Sequence, residues 1–259
     1  MMLIDTHTHL FLKEFDADRD EVLNRAVKKG VKKLILPNVD SSTTLPMLDL
    51  CSRFPDHCYP MMGLHPTSVR DNYKDELTNV ENWLKKGIFV AVGEIGIDLY
   101  WEKKFLFQQL EAFAHQIILA KKFQLPIVIH SRESFDEIFD IMDDLNDENL
   151  KGIFHAFTGT HEQAERAIGY GFKLGIGGIV TFKNSGLDKV VSMIDPVHLV
   201  LETDSPYLAP TPKRGHRNEP SYLIYTANKI AGIHGTTVEE VARITTQNAL
   251  TLFGLNDKI

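Results

Sequence analysis

Imidazole and carboxylate side chains recur close to the ends of apolar runs in this chain of 259 residues. Buried strands are normally apolar, so the polar residues that end such runs are candidates for chemistry. The strongest candidates are His7, His9, Glu94, His130, His155 and Asp204. Imidazole nitrogens and carboxylate oxygens are common ligands of divalent metal ions in proteins. The pattern therefore predicts a metal site.

The complete set of candidates is more informative than any one pair. With 11 histidines in the chain, a pair such as His7 and His9 can arise by chance, and core or surface histidines are the alternative interpretation. The whole set, however, would leave several buried polar groups unpaired unless a ligand held them. Glu94 and Asp204 would also repel each other at a crowded site that lacked a cation.

The number of candidate ligands favours two ions. Six ligands exceed the four positions of a tetrahedral ion, whereas two ions that share Glu94 would use them all. Two such ions can share a hydroxide and stabilise the attacking and leaving oxygens of a displacement, which is hydrolase chemistry. Ser131 and Ser205 have no separate base that would make either a nucleophile. The expected cofactors are two divalent ions, with Mg, Mn and Zn as candidates.

Eight short apolar runs could position these residues. The runs lie at Leu3, Leu34, Met61, Val92, Pro126, Gly152, Lys173 and His198. Nearly continuous apolar runs of this length are typical of parallel strands that are buried on both faces. At about 32 residues per unit, the alternation of strands and helices predicts a single-domain (β/α)₈ TIM barrel over residues 1–259. An open doubly wound sheet is the alternative. In a barrel, the carboxyl ends of the strands meet at one face, where the candidates would converge.

Local patterns between the runs predict further elements. Apolar spacing predicts a helix over 105–123, and Thr160 with Gln163 can form a capping box for a helix that ends at Gly169 or Gly171. The glycines of GIGG, at positions 175, 177 and 178, have no helix directly after them, so close packing in a strand is favoured over a phosphate loop. The stretch over 205–223 contains four prolines and is expected to be a long ordered loop.

The composition excludes several classes of protein. With 43% hydrophobic and 24% charged residues, the chain is in the globular range. Its net charge of −7 provides no general attraction for nucleic acid or anionic membranes, so any contact with a polyanion must be local. Cys51 and Cys58 form no CxxC pair, the start lacks a basic segment, and no uncharged apolar run reaches about 18 residues. We expect a cytoplasmic protein without membrane attachment or an obligate protein partner.

Seven motifs make the chain resemble the TatD family of metal-dependent deoxyribonucleases, a branch of the amidohydrolase barrels. They are DTHTHL from Asp5, GLHP from Gly63, GEIGID from Gly93, PIVIHSRES from Pro126, HAFTG from His155, ETDSPYLAP from Glu202 and RGHRNEP from Arg214. They follow one another in family order over residues 5–220. HAFTG departs from the family's common His-Cys-Phe-Ser-Gly, and Leu99 stands where the family often has tyrosine. Neither departure removes a ligand.

The resemblance implies a (β/α)₈ barrel with a binuclear site. One ion would be bound by His7, His9, Glu94 and Asp204, and the other by Glu94, His130 and His155. Asp204 would also take a proton from the attacking water. Glu202 would support the site as a further catalytic carboxylate behind the ligands, with a structural ion pair as the alternative.

A phosphodiester substrate would need side chains that neutralise its oxygens, and arginine suits this task. The candidates for substrate binding are His65, Arg132, Arg214 and Asn218. Barrels often bind phosphate with the loops after the seventh and eighth strands, which favours Arg214, although a salt bridge is the alternative. Three aromatic residues would either stack unpaired bases or cover the rim of the barrel; these are Phe11, Tyr100 and Trp101.

The leading prediction is a metal-dependent 3′-to-5′ exodeoxyribonuclease that acts on single-stranded DNA or on strand ends. A hydrolase of a small amide, ester or phosphoester is the alternative, because the same activated water can attack a carbonyl. A metal-binding or regulatory barrel without turnover is a third interpretation. The complete set of ligands argues against it.

Overall fold

Eight parallel strands lie next to one another in chain order in the computed structural model, which describes residues 1–255. Their bounds are β1 (Leu3–Asp5), β2 (Val31–Leu36), β3 (Cys58–Met62), β4 (Ala91–Asp98), β5 (Ile127–Arg132), β6 (Gly152–Phe154), β7 (Lys173–Ile176) and β8 (Leu199–Leu201). Each strand overlaps one of the predicted apolar runs. Just beyond the strands, Thr8 pairs with Ser205 and the Thr6 N–H donates to the carbonyl of Leu201 at 3.0 Å, which joins β8 to β1. The predicted (β/α)₈ barrel is confirmed.

Helices follow the strands around the outside of the barrel. They are α1 (Arg19–Lys28), α2 (Ser41–Arg53), α3 (Tyr73–Leu84), α4 (Leu106–Phe123), α5 (Phe135–Leu145), α6 (His161–Gly169), α7 (Leu187–Ser192), α8 (Leu223–His234) and α9 (Val238–Phe253). The helix predicted over 105–123 is α4. The capping box of Thr160 and Gln163 begins α6, which ends at Gly169 as expected. None of the helices in the described part of the chain is both long and apolar enough to cross a membrane. The predicted domain of 1–259 includes 256–259, which lie outside the described residues.

The interior of the barrel is a packed apolar core. Its buried residues are Ile4, Ile35, Met61, Ala91, Val128, Ile153 and Val200 from the strands, with Ala249, Leu250 and Phe253 from α9. α9 is fastened to the amino ends of the strands, because the Thr246 hydroxyl donates to the carbonyl of Met2 at 2.9 Å and the Asn248 amide donates to that of Leu199 at 2.7 Å. Since this end is covered and the middle is filled, the carboxyl ends of the strands are left for a site.

The loop after β8 is held against α1 by ion pairs. The Arg217 guanidinium lies 2.7 Å from Asp18, and that of Arg25 lies 2.7 Å from Glu219. The hydrogen bond from Arg217 is the main reason that the pKa of Asp18 is lowered. These bonds fix the loop predicted over 205–223 on the rim of the barrel.

Candidate metal centre

A cavity of about 660 Å³ lies at the carboxyl ends of the strands. The polar and charged residues that line it include His9, His65, Glu94, Asp98, His130, Arg132, His155 and Asp204. Glu94 and Asp98 belong to β4, and His130 and Arg132 belong to β5. The other four follow the end of a strand within a few residues, and these are His9, His65, His155 and Asp204. His7 and His9 in particular lie beyond the short strand β1 rather than within it. The barrel therefore brings together residues that are far apart along the chain.

Glu94 is at the centre of the cluster, and its two carboxylate oxygens face different histidines. Oε2 lies 3.0 Å from Nε2 of His7 and 3.7 Å from Nε2 of His9. Oε1 lies 2.7 Å from Nδ1 of His130 and 3.2 Å from Nε2 of His65. A carboxylate with imidazoles on both sides is suited to bridge two cations.

The second carboxylate, Asp204, lies on the side of the cluster that faces β1. Its Oδ1 is 3.4 Å from Nε2 of His9, 3.9 Å from Nε2 of His7 and 3.8 Å from Nε2 of His155. The residue has a positive φ of 55°, a conformation that side-chain-bearing residues seldom adopt and that often marks a functional position. His155 also lies 3.8 Å from Glu94, so it stands between the two carboxylates.

Electrostatics keep both carboxylates ionised. Burial alone would raise the pKa of Glu94, but the surrounding imidazoles, led by those of His65 and His7, hold it well below its ordinary value. The pKa of Asp204 is also lowered, because His9 and His155 outweigh its burial. Neighbouring carboxylates raise the pKa of His155 to about 10, since those of Glu202 and Glu94 overcome its desolvation. A cation that binds here would replace protons on imidazoles, so its binding would depend on pH.

The side chains present fit divalent ions. Three groups offer ligand atoms that all lie within 4.8 Å of one another, and these are His7 with His9 and Glu94, His7 with His155 and Asp204, and His65 with Glu94 and His130. Each group combines imidazole nitrogen with carboxylate oxygen, the donor set of zinc, manganese and related ions. The ligand group around His130 contains His65, which the sequence analysis assigned to substrate binding.

Comparison with known proteins places this geometry in a family. The family model described as TatD related DNase matches residues 4–254. A relative from Bacillus subtilis, named uncharacterized metal-dependent hydrolase YabD, is 39% identical over 98% of this chain and 100% of its own length. The chain belongs to the TatD family of metal-dependent hydrolases.

Two other members of the TatD family extend the comparison. The crystal structure of YjjV, a TatD homolog from Escherichia coli K12, superposes with a TM-score of 0.92 at 29% identity and covers 98% of both chains. A relative from Erwinia amylovora, named 3′-5′ ssDNA/RNA exonuclease TatD, is 29% identical over 98% of this chain and 100% of its own. The predicted family is confirmed.

Glu202 lies behind His155, one of the candidate metal ligands. Its Oε1 lies 3.0 Å from Nδ1 of His155 and accepts a hydrogen bond of 2.6 Å from the backbone N–H of Ala156. Because Nδ1 faces Glu202, Nε2 of the same imidazole faces Glu94 and Asp204. The Glu202 carboxylate lies directly over Gly175 of β7, where a Cβ would be 2.2 Å from Oε2.

Close packing was expected for the glycines of GIGG, and it is confirmed at two of them. Besides the contact of Gly175, a Cβ at Gly178 would lie 2.4 Å from the carbonyl oxygen of Leu208. A Cβ at Gly177 would meet nothing closer than 3.6 Å, which is ordinary contact.

Asp98 at the end of β4 is a site residue that the sequence analysis missed. Its Oδ2 lies 2.8 Å from Nε2 of His130. Its Oδ1 accepts hydrogen bonds from the backbone N–H groups of Tyr100 and Trp101, at 3.0 and 3.2 Å. Asp98 thus orients His130 and also fixes the segment that follows β4. The signal was present in the GEIGID motif, whose last residue is Asp98.

Asp5 is the second residue that was missed. Its buried carboxylate accepts hydrogen bonds from the backbone and hydroxyl groups of Thr203, at 2.9 and 2.6 Å, and from the His7 backbone at 3.3 Å. Burial raises the pKa of Asp5 to about 8, although these bonds oppose the shift. Asp5 ties the segment that carries His7 and His9 to the segment that carries Asp204.

The predicted substrate-binding residues occupy different places. Arg132 lines the cavity and is exposed. Arg214 is exposed on the loop after β8, with its guanidinium 4.3 Å from the ring of Phe182, and forms no ion pair in the described part of the chain. Asn218 is fully buried, and its amide nitrogen donates to the carbonyls of Thr203 and Tyr207, at 2.8 and 2.7 Å. The position of Asn218 corrects the prediction that it binds substrate, because its donors already hold the loop.

Proposed function

We propose that this TatD-family hydrolase cleaves phosphodiester bonds at the ends of single-stranded DNA, with 3′-to-5′ polarity. The observation that carries the proposal is a single cavity that contains both the metal-binding side chains and an exposed arginine, Arg132. Arginine at the wall of a hydrolytic site is suited to bind phosphate oxygens. The name of the Erwinia amylovora relative agrees in substrate class and polarity.

Two divalent ions, Mg, Mn or Zn, would be held by the cluster. Glu94 would bridge them, His7, His9 and Asp204 would complete one set of ligands, and His130 with His155 the other. The 3.2 Å between His65 and Glu94 makes His65 a further ligand candidate. Bound there, the ions would activate a water molecule and neutralise charge on the attacking and leaving oxygens.

The protein's own side chains would do the remaining work. The Asp204 carboxylate, ionised because its pKa is lowered, would accept the proton that the attacking water loses. Arg132 would hold the phosphate, Glu202 would keep His155 oriented, and Asp98 would do the same for His130. The net charge of −7 means that DNA is attracted only close to the cavity. An enzyme that contacts DNA only near its cavity is suited to remove nucleotides from strand ends, and it is not suited to move along a strand.

Hydrolysis of end-labelled oligonucleotides tests the proposal. Metal-depleted protein would be supplied with Mg, Mn or Zn and given single strands labelled at the 5′ or the 3′ end. We expect stepwise shortening from the 3′ end that a chelator abolishes. Glu94→Gln and Asp204→Asn should be inactive, and Glu239→Gln, which changes an exposed carboxylate on α9, should behave like wild type. An absence of shortening with all three metals would refute the nuclease function.

The small-substrate alternative is supported by the size of the cavity, which is within the range of small-ligand sites. A panel of small carboxyl esters, amides and phosphoesters would be assayed beside the oligonucleotides. Turnover of a small ester or amide at a higher kcat/KM than any strand, with no effect of Arg132→Met, would favour this alternative.

A further inference from the structure

Two large aromatic side chains are exposed at the rim of the cavity. Tyr100 and Trp101 follow directly after β4 and are 51% and 68% exposed, with their rings edge to face and the centroids 4.9 Å apart. Trp101 lines the cavity. By contrast, Phe11 is only 4% exposed and its ring packs against that of His9, with the centroids 5.9 Å apart, so it is not available to stack on a base. Rings as exposed as those of Tyr100 and Trp101 contribute little to the core, which makes a binding role the better explanation.

The backbone that carries these rings is fixed relative to the metal centre. Asp98 accepts hydrogen bonds from the N–H groups of both aromatic residues through one oxygen, and its other oxygen contacts His130. The side chain of Gln109 on α4 holds Asp98 in turn, since Oε1 accepts from the Asp98 N–H at 2.8 Å and Nε2 donates to its carbonyl at 3.2 Å. Only one side chain therefore separates the aromatic rings from a candidate metal ligand.

Arg132 joins the aromatic rings to the phosphate-binding part of the cavity. Its guanidinium lies 3.7 Å from the ring centroid of Tyr100 and 5.3 Å from that of Trp101. Stacking on an aromatic face orients the guanidinium plane and leaves its N–H groups free. Within residues 1–255, no oxygen accepts a hydrogen bond from this guanidinium and no carboxylate pairs with it. The N–H groups are thus available to a phosphate, next to a ring that is available to a base.

We infer that Trp101, supported by Tyr100, stacks against the nucleobase of the nucleotide whose phosphate is held by Arg132. The inference rests on the proposed function and specifies how the strand end is bound. A nucleotide carries its base and its phosphate on one sugar, so a ring and a guanidinium about 5 Å apart can engage both. Every base has an aromatic face, so this contact supplies affinity without sequence preference and without positive charge.

Steady-state kinetics with paired substrates test the inference. Wild type, Trp101→Ala and Trp101→Phe would be compared on single strands with a normal or an abasic nucleotide at the attacked end. On normal strands, Trp101→Ala should raise KM about tenfold, equivalent to about 1.4 kcal/mol, with kcat unchanged. Trp101→Phe should retain most of the affinity. On abasic strands, wild type and Trp101→Ala should have the same KM, because the base that stacks is missing.

Phe107 provides a matched control. It is also 68% exposed, lies near the start of α4 and does not line the cavity. Phe107→Ala should leave KM unchanged on all strands. The inference would be overturned if Trp101→Ala behaved like Phe107→Ala, or if its defect persisted in full on abasic strands.

A binding measurement separates this inference from the nuclease function. The chain has two tryptophans, so Trp83→Phe leaves Trp101 as the sole tryptophan fluorophore. In that variant, loaded with metal, AMP should quench the fluorescence and ribose 5-phosphate should not. Quenching by AMP without any strand cleavage would retain the stacking site and refute the nuclease. Cleavage without quenching, together with an unchanged KM for Trp101→Ala, would refute the stacking site alone.

Discussion

Replacing Gly175 with alanine would test how Glu202 holds His155. Neither Gly175 nor Gly177 has a positive φ, so alanine can adopt the backbone at both positions. At Gly175, however, the new Cβ would lie 2.2 Å from Oε2 of Glu202 and 2.8 Å from its Cδ. The carboxylate would have to move by about 1 Å to reach ordinary van der Waals contact. Such a movement would stretch the 2.6 Å hydrogen bond from Ala156 and release His155.

The expected cost follows from these two effects. Overpacking a buried site costs about 1–3 kcal/mol of unfolding free energy. Complete loss of a buried hydrogen bond to a charged group costs about 1.5–3 kcal/mol more, and weakening the bond costs part of that amount. We therefore expect Gly175→Ala to lose about 3 kcal/mol of unfolding free energy, which lowers Tm by about 6–12 °C in a chain of this size. Loss of a group that orients a metal ligand should also reduce metal affinity or activity about 10–100-fold.

Gly177→Ala is the matched control in the same motif. Its Cβ would meet Glu202 atoms only at 3.6 Å and beyond, so the change in stability should be within about 0.5 kcal/mol. Thermal unfolding and metal titration of the two purified variants would provide the comparison. If Gly175→Ala matched Gly177→Ala in Tm and in metal affinity, the argument that Glu202 positions His155 through this contact would be wrong.

Three further predictions concern metal, acid and thiols. Chelation should lower Tm by about 5–10 °C relative to protein with metal at 100 times Kd, a stabilisation of about 2.7 kcal/mol; an unchanged Tm would contradict a metal site. In the folded protein the pKa of Asp18 is below its ordinary value of 3.8, so the ion pair with Arg217 stabilises the fold at a pH above 3.8. This stabilisation is lost as the pH falls through the lowered pKa of the folded state. The difference in unfolding free energy between wild type and Arg217→Gln should thus shrink between about pH 7 and about pH 3, and a constant difference would refute this role. Burial raises the pKa of Cys51 to about 12 and that of Cys58 well above its ordinary value, so neither thiol should react with a disulfide reagent at about pH 8 until the protein unfolds; prompt reaction of the folded protein would contradict their burial.

The elements of the fold were predictable because their signals are local. Apolar runs identified all eight strands, and the pairing of Thr160 with Gln163 marked the start of α6 within four residues of sequence. The helix over 105–123 needed only its own apolar spacing. Strand lengths were less predictable: β1 ends at Asp5, so His7 and His9 follow the strand instead of alternating within it.

The side chains that face the cavity could not be predicted from local sequence. Arg132 is the last residue of β5, and Asn218 lies in the long loop after β8. Only Arg132 lines the cavity, because the amide of Asn218 donates to two backbone carbonyls instead. Asp98 is the last residue of the GEIGID motif, yet its contact with His130 depends on the pairing of β4 with β5. His65 was assigned to substrate, and only its 3.2 Å distance from Glu94 makes it a ligand candidate.

The sequence by itself determined the kinds of donor available, the strands that end in them, and the number of units that must close into a barrel. Closure of the barrel then decided which side chains contact one another. Asp5 and Thr203, for example, are separated by 198 positions and meet only where β8 returns to β1. The distances between Glu94 and the surrounding imidazoles, from 2.7 Å for His130 to 3.8 Å for His155, decide which side chains can share an ion with it. They are set by the packing of all eight strands, which no short stretch of the chain encodes.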